Sequence, residues 1–156
     1  MVEANEPGEK MQISGTIFMP DGKTPAENII LYVYHTNQKG YYAPGSNQAE
    51  GKRHGHIRGW MKTGKDGAYK FYSIKPGMYP ERAIPAHLHP LIKEPGKTVY
   101  WIDEYVFDGE PYVDSTYRAK EEKRGGSGII KLTRNDQGVW IGKRDLILGL
   151  NVPDYK

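Results

Sequence analysis

Apolar residues along this chain recur with a period of two rather than 3.6. In residues 29–35, Leu31, Val33 and His35 alternate with Tyr32 and Tyr34, the pattern of a strand with one covered face. Comparable β-rich runs occupy residues 13–18, 57–63, 68–74, 86–89, 98–107, 128–133, 139–141 and 146–148. Pro20-Asp21-Gly22 ends the first run with turn chemistry. Lys65-Asp66-Gly67 and Asn135-Asp136-Gln137-Gly138 each stand between two runs, which predicts hairpins. Many short strands with Gly- and Pro-rich turns predict an all-β fold, a sandwich or a Greek-key barrel. The segment 36–55 is long for a loop and rich in Gly, Asn and Gln; long loops on a rigid β scaffold often carry function. No internal repeat or linker divides the 156 residues, so residues 1–156 read as one domain with flexible ends at 1–11 and 152–156.

Charge and composition narrow the function classes. The net charge of +3 comes from 22 basic and 19 acidic side chains that are well interspersed. The densest run, Lys120-Glu121-Glu122-Lys123-Arg124, mixes signs and reads as a solvated loop, not a nucleic-acid surface. No stretch approaches the ~20 apolar residues of a membrane span. Residues 1–10 lack the basic and apolar regions of a leader peptide, which fits a cytoplasmic chain or one whose leader has been removed. Most telling are twelve tyrosines against three phenylalanines, and no cysteine. Thiolate zinc sites, iron–sulfur clusters, disulfides and cysteine nucleophiles are thereby excluded.

His87 and His89 stand two apart in a predicted strand, so both imidazoles project to one face and reach one centre. His54-Gly55-His56 has the same spacing but lies among Lys52, Arg53 and Arg58, which disfavours a cation; it reads as a loop pair. With two histidines and no thiolate, a facial triad would need a carboxylate, for which Asp103 and Glu104 are available. The alternative is tyrosine, whose phenolate is a hard anionic donor suited to a trivalent ion. Its pKa near 10 must be lowered by the metal's own charge. Two phenolates and two imidazoles would leave iron(III) with a single net positive charge.

The segment Ile74-Lys75-Pro76-Gly77-Met78-Tyr79-Pro80, followed by Pro85-Ala86-His87-Leu88-His89, resembles the core motif of the intradiol ring-cleavage dioxygenases. That family includes protocatechuate 3,4-dioxygenase and catechol 1,2-dioxygenase. Gly15-Thr16-Ile17, His35-Thr36-Asn37-Gln38-Lys39-Gly40-Tyr41-Tyr42, Asp66-Gly67-Ala68-Tyr69-Lys70-Phe71 and Phe107-Asp108-Gly109-Glu110-Pro111 extend the resemblance in order over residues 12–111. It implies a prealbumin-like β-sandwich of mixed and antiparallel strands with long functional loops. It also implies iron(III) held by Tyr42, Tyr79, His87 and His89. Tyr42 is preferred to Tyr41 because the family's tyrosine follows a Gly by two positions. The implied substrates are a small aromatic diol and O2. In the mechanism the resemblance implies, the diol displaces the tyrosinate at Tyr79, which takes a proton as it leaves, and both oxygen atoms enter between the hydroxylated carbons.

The chain departs from that pattern at two places. An Arg usually precedes the Pro-Ala-His-x-His run, but Ile84 stands there; Arg82, two residues earlier, is the candidate to stabilise negative charge on the substrate ring. Glu104 falls where a neutral Gln is common, and a buried carboxylate there needs a partner. Tyr100, Tyr105 and Tyr112 are candidate pocket walls, Tyr69 and Tyr72 packing residues, and Tyr32 and Tyr34 sheet-surface residues. Lys52, Arg53 and Arg58 are the candidates to read a carboxylate on the substrate. The family's helical dimerisation segment is missing, consistent with a compact homo-oligomer or a subunit of something larger. Two alternatives stand beside this reading: a non-catalytic transthyretin-like or carboxypeptidase regulatory-like module, and a His-based zinc or copper site.

Overall fold

The computed structural model describes residues 1–44 and 54–156. The described residues form eleven strands and one short helix: β1 (Lys10–Phe18), β2 (Ile30–His35), β3 (Arg58–Lys62), β4 (Ala68–Ile74), β5 (His87–Lys93), β6 (Tyr100–Trp101), β7 (Tyr105–Phe107), α1 (Ser115–Lys120), β8 (Ile129–Ile130), β9 (Thr133–Arg134), β10 (Trp140–Lys143) and β11 (Leu146–Ile147). They form two mixed sheets packed as a sandwich. In one, β1 pairs antiparallel with β4 and parallel with both β10 and β11, and β9 extends β10. In the other the order is β3-β2-β5-β7-β8, with β6 also on β5 and β7–β8 parallel.

Strict alternation makes the layers. In β1, Met11, Ile13 and Ile17 are buried between half-buried neighbours, and β4 offers Tyr69 and Phe71 to the same side. Across from them, Leu31 and Val33 of β2, Leu88 and Ile92 of β5, and Tyr105 and Phe107 of β7 complete one core. The Tyr69 hydroxyl donates to the Arg144 carbonyl at 2.6 Å and meets the Tyr105 hydroxyl at 3.0 Å, so both buried phenols are satisfied. His35 points inward too. It is 1% exposed, with Nε2 at 2.6 Å from Ser73 Oγ and Nδ1 at 2.7 Å from the Thr36 carbonyl.

The sheets correct several expectations. The Asp66-Gly67 turn does not close a hairpin: β3 pairs with β2 and β4 pairs with β1, so this turn carries the chain from one sheet to the other. Gly67 has φ +65°, and a Cβ there would meet the Ile17 carbonyl, so the turn is glycine-dependent because it lies against β1. The Asn135–Gly138 turn does close a hairpin, between β9 and β10. The run 98–107 is two strands, β6 and β7, and 128–133 divides between the two sheets as β8 and β9. The charged run starts on the last residue of α1, Lys120, and Glu121 is engaged just beyond it, accepting from Ser127 Oγ at 2.7 Å and Gly128 N at 3.1 Å. At the N-terminus, the Met1 ammonium donates to the Tyr72 carbonyl at 3.0 Å. Among the described residues no helix is long and apolar enough to cross a membrane.

Candidate metal centre and its pocket

The six-stranded sheet turns its other face away from the core, and the candidate site is built there. Because Leu88, Pro90 and Ile92 point inward, His87, His89, Leu91 and Lys93 point outward. Register then sets their neighbours: His87 stands opposite Val106 and His89 opposite Tyr34, which in turn is opposite Arg58.

Two loops bring the tyrosines onto this face. Tyr42 follows β2 and Tyr79 follows β4, and the loops are locked backbone to backbone. Gly77 N donates to the Asn37 carbonyl at 2.9 Å, and Thr36 Oγ1 donates to the Gly77 carbonyl at 2.9 Å. Gly40, at φ +84°, lies so close to the Met78 carbonyl that a Cβ would run into it. His56 secures the far side of the Tyr42 loop. Its backbone N–H donates to the Ala43 carbonyl at 3.0 Å, and its ring Nε2 lies 2.9 Å from Glu6 Oε2. Burial opposes protonation of that ring, but the Ala43 carbonyl and Glu6 raise its pKa overall.

All four expected ligands converge. Tyr42 Oη lies 2.5 Å from Tyr79 Oη and 2.9 Å from His89 Nε2; Tyr79 Oη lies 3.2 Å from His89 Nε2; His87 Nε2 lies 3.1 Å from His89 Nε2. The other nitrogen of each ring explains the arrangement. His87 Nδ1 is 2.7 Å from the Pro85 carbonyl, which can only accept, so the ring proton is on Nδ1 and Nε2 presents a lone pair. His89 Nδ1 faces Glu104 Oε1 at 3.6 Å, which favours the same tautomer. The two Nε2 atoms face each other at 3.1 Å with the Tyr42 and Tyr79 hydroxyls beside them, a group of four donors that one cation could share. Donor separations of this size suit ligands at roughly 2.0–2.2 Å from one ion. Burial lowers the pKa of His87, keeping it neutral as a ligand must be. Burial, then the bond to Tyr79, raises the Tyr42 phenol, so its deprotonation calls for a cation close by.

The carboxylate alternative does not fit. Among the described residues no group of three or more His, Asp or Glu gathers at a point. Asp103 instead accepts from Lys123 N at 2.7 Å and Arg124 N at 3.2 Å. Glu104 lies at the Nδ1 side of His89, away from the four donor atoms, and its pKa is lowered by that contact. Arg144, buried beneath, donates to the Asp103 carbonyl at 2.7 Å and to the Gly126 carbonyl at 3.1 Å, bracing the segment that presents Glu104.

Beside the donors opens a cavity of about 620 Å³, within the usual range for small-ligand sites. Tyr79, His87 and His89 form its floor; Ile84, Pro85 and Val106 give apolar walls; Arg82, Glu104, Tyr112, Tyr117 and Lys120 surround it. Tyr42 does not line this cavity; it borders a second one of about 450 Å³, which Tyr79 and Arg82 share, so Tyr79 stands between the two. Arg82 is exposed at the edge of the cavity, its guanidinium 5.8 Å from the centre of the Tyr79 ring. Tyr112 is a wall, but Tyr105 belongs to the core, and Tyr100 donates to Glu94 at 2.7 Å away from the cavity. Tyr41 is exposed. Lys52 and Arg53 lie outside the described residues.

Two participants were not anticipated. Tyr117 reaches the cavity from α1, whose start is capped by Asp114 accepting from Tyr117 N at 2.9 Å, and burial raises its phenol to about 12. No periodicity marks a helix of six residues. Tyr34 lies on the outer face as expected yet is only 6% exposed, because it is stacked between His54 and His89.

Comparison with known proteins agrees with this architecture. Residues 1–124 match a family model described as dioxygenase, and the chain belongs to the intradiol dioxygenase family. Catechol 1,2-dioxygenase 1 of Acinetobacter lwoffii is 27% identical over 156 aligned positions, covering 82% of this chain and 48% of that protein. The 6-chlorohydroxyquinol 1,2-dioxygenase of Cupriavidus pinatubonensis is 30% identical over 125 positions, covering 69% of this chain and 43% of its own length. The chain thus spans about half the length of these relatives. Among solved structures, the dioxygenase domain of a dioxygenase–carbohydrate-binding fusion from Streptomyces sp. SirexAA-E superposes with a TM-score of 0.73 at 25% identity, over 94% of this chain and 84% of that one. Catechol 1,2-dioxygenase from Acinetobacter sp. ADP1 shares the fold, with a TM-score of 0.66 at 22% identity over 93% and 54%.

Proposed function

We propose that the chain is a non-haem iron(III) dioxygenase that opens the ring of a catechol-type substrate between its two hydroxylated carbons, using O2. The observation that carries this reading is the convergence of two phenol oxygens and two lone-pair imidazole nitrogens beside a cavity of small-ligand size. When bound there, iron(III) supplies Lewis acidity and a template for the diol and O2.

The chain's own groups have separable tasks. The Pro85 carbonyl at the Nδ1 of His87 and the Glu104 carboxylate facing the Nδ1 of His89 orient both rings with Nε2 towards the ion. Tyr42, which does not line the larger cavity, would be the retained ligand. Tyr79, on the floor of the larger cavity, would also hold the ion and is the group placed to give way to a diol, its phenol oxygen accepting the substrate's hydroxyl proton. Arg82 places positive charge over Tyr79, where it stabilises negative charge on an incoming diolate. Ile84, Pro85 and Val106 pack the ring edge and keep water from that side.

Iron loading should colour the protein through tyrosinate charge transfer, and catechol should shift the band while mass spectrometry detects a ring-opened dicarboxylate. Tyr42→Phe and Tyr79→Phe should each change the band, and Tyr41→Phe should leave it as it is. A protein that stays colourless with iron and retains stoichiometric zinc would overturn the assignment.

A further inference from the structure

The ligand set is backed by aromatic rings on the side away from the cavity. Tyr34 stacks on His89, with centres 4.7 Å apart and planes 20° apart. Tyr32 follows at 5.9 Å from Tyr34, and Trp60 at 6.4 Å from Tyr32. Trp60 is 70% exposed, so the series runs from a ligand ring to solvent. Register explains the row: Trp60, Tyr32, Leu91 and Trp101 are successive cross-strand neighbours on the outer face. Trp101, 44% exposed, offers a second exit, with its ring 6.3 Å from both Tyr34 and His89. Tyr32 has one more feature: its hydroxyl lies 2.9 Å from His54 Nδ1, and the His54 ring stacks on Tyr34 at 3.8 Å. A phenol hydrogen-bonded to an imidazole can lose an electron without leaving a charged radical, because the proton has somewhere to go.

We propose that these rings are an electron path that drains oxidising equivalents from the ligand set to the surface. The oxidant is an oxygen-derived one-electron oxidant, stronger than a tyrosyl radical, that forms when O2 chemistry misses the substrate. One electron passes from Tyr32 through Tyr34 and His89 to that oxidant. The phenolic proton crosses to His54 Nδ1, leaving a neutral tyrosyl radical and an imidazolium. A soluble thiol then gives one electron through Trp60, the proton returns from His54 to Tyr32, the thiol's own proton goes to solvent, and two thiyl radicals pair as a disulfide. The source of the oxidant rests on the proposed dioxygenase function; the path itself does not.

The metal-free full-length chain tests the path. With a photogenerated ruthenium(III) polypyridine oxidant, transient absorption should show an indolyl radical giving way to a tyrosyl radical. Tyr32→Phe, which keeps the ring and its packing, should prolong the indolyl signal several-fold. An unchanged lifetime overturns the path. In iron-loaded protein treated with hydrogen peroxide without substrate, peptide mapping should find oxygenation at Trp60 and Trp101. In Tyr32→Phe the damage at Trp60 should fall and that at His87, His89 and Tyr42 should rise, while Trp101 keeps its share. A damage map identical in the two proteins overturns the protective use, because packing alone is preserved in the variant. Absence of ring cleavage with normal radical migration would instead count against the dioxygenase reading alone.

Discussion

Strands β2 and β5 each have two faces with unlike tasks. Their inner side chains, Leu31 and Val33 with Leu88 and Ile92, are apolar and close the sandwich. Their outer ones, Tyr32 and Tyr34 with His87 and His89, gather polar rings that hydrogen-bond or stack with groups from distant loops. A core face needs only shape and hydrophobicity, which neighbouring strands supply. The donor face needs placed partners, and these come from Pro85, Glu104, Tyr42 and Tyr79. Adjacent residues on one strand can therefore fail in opposite ways: one loses the fold, the other the chemistry.

Substitutions two atoms deep on either side break that contrast. His89→Ala should abolish the visible band of iron-loaded protein, weakening metal binding by more than the roughly 100-fold that an outer partner can carry, with the urea midpoint little changed. Leu88→Ala, its inward neighbour, should cost about 2–5 kcal/mol in urea unfolding while the band per folded molecule persists. His35 sharpens the comparison as a polar group on the inner side. Burial holds its pKa near 4, below the ordinary imidazole value. The unfolded chain therefore binds the proton more readily, and stability that is complete above about pH 6.5 is lost as pH falls towards 4, by up to about 3 kcal/mol. His35→Gln should flatten that part of the profile relative to the wild type, as read from urea midpoints between pH 7 and pH 4.5. Glu104→Gln should have the smallest effect, a roughly 10–100-fold loss of metal affinity by competition with a chelator, at unchanged fold stability.

The sequence pattern carried much of this layout. Alternation placed Leu31, Val33 and His35 on one face and Tyr32 and Tyr34 on the other, and the His-x-His spacing put both imidazoles on one side. It misjudged Asp66-Gly67, because turn chemistry reports that the chain reverses and not which strand each arm then joins. It also placed Tyr105 at a pocket wall. Only the antiparallel register with Leu88 turns that ring into the core. Tyr34 was assigned to the right face with the wrong burial, since alternation distinguishes two sides of a strand but says nothing of loops that cover one of them.

What the sequence determined by itself is therefore local: period-two strands, donor types without sulfur, and two histidines on one face. That follows from backbone geometry, which repeats every two residues whatever the surroundings. The tertiary structure decided what depends on contacts across many residues. Glycine-dependent docking of the 37–40 and 76–78 segments brings Tyr42 Oη within 2.5 Å of Tyr79 Oη. Arg144 braces the backbone that aims Glu104 at His89, and the outer-face register connects that histidine to Trp60 at the surface. Each of these turns on where two distant backbones meet, which local spacing along the chain does not encode.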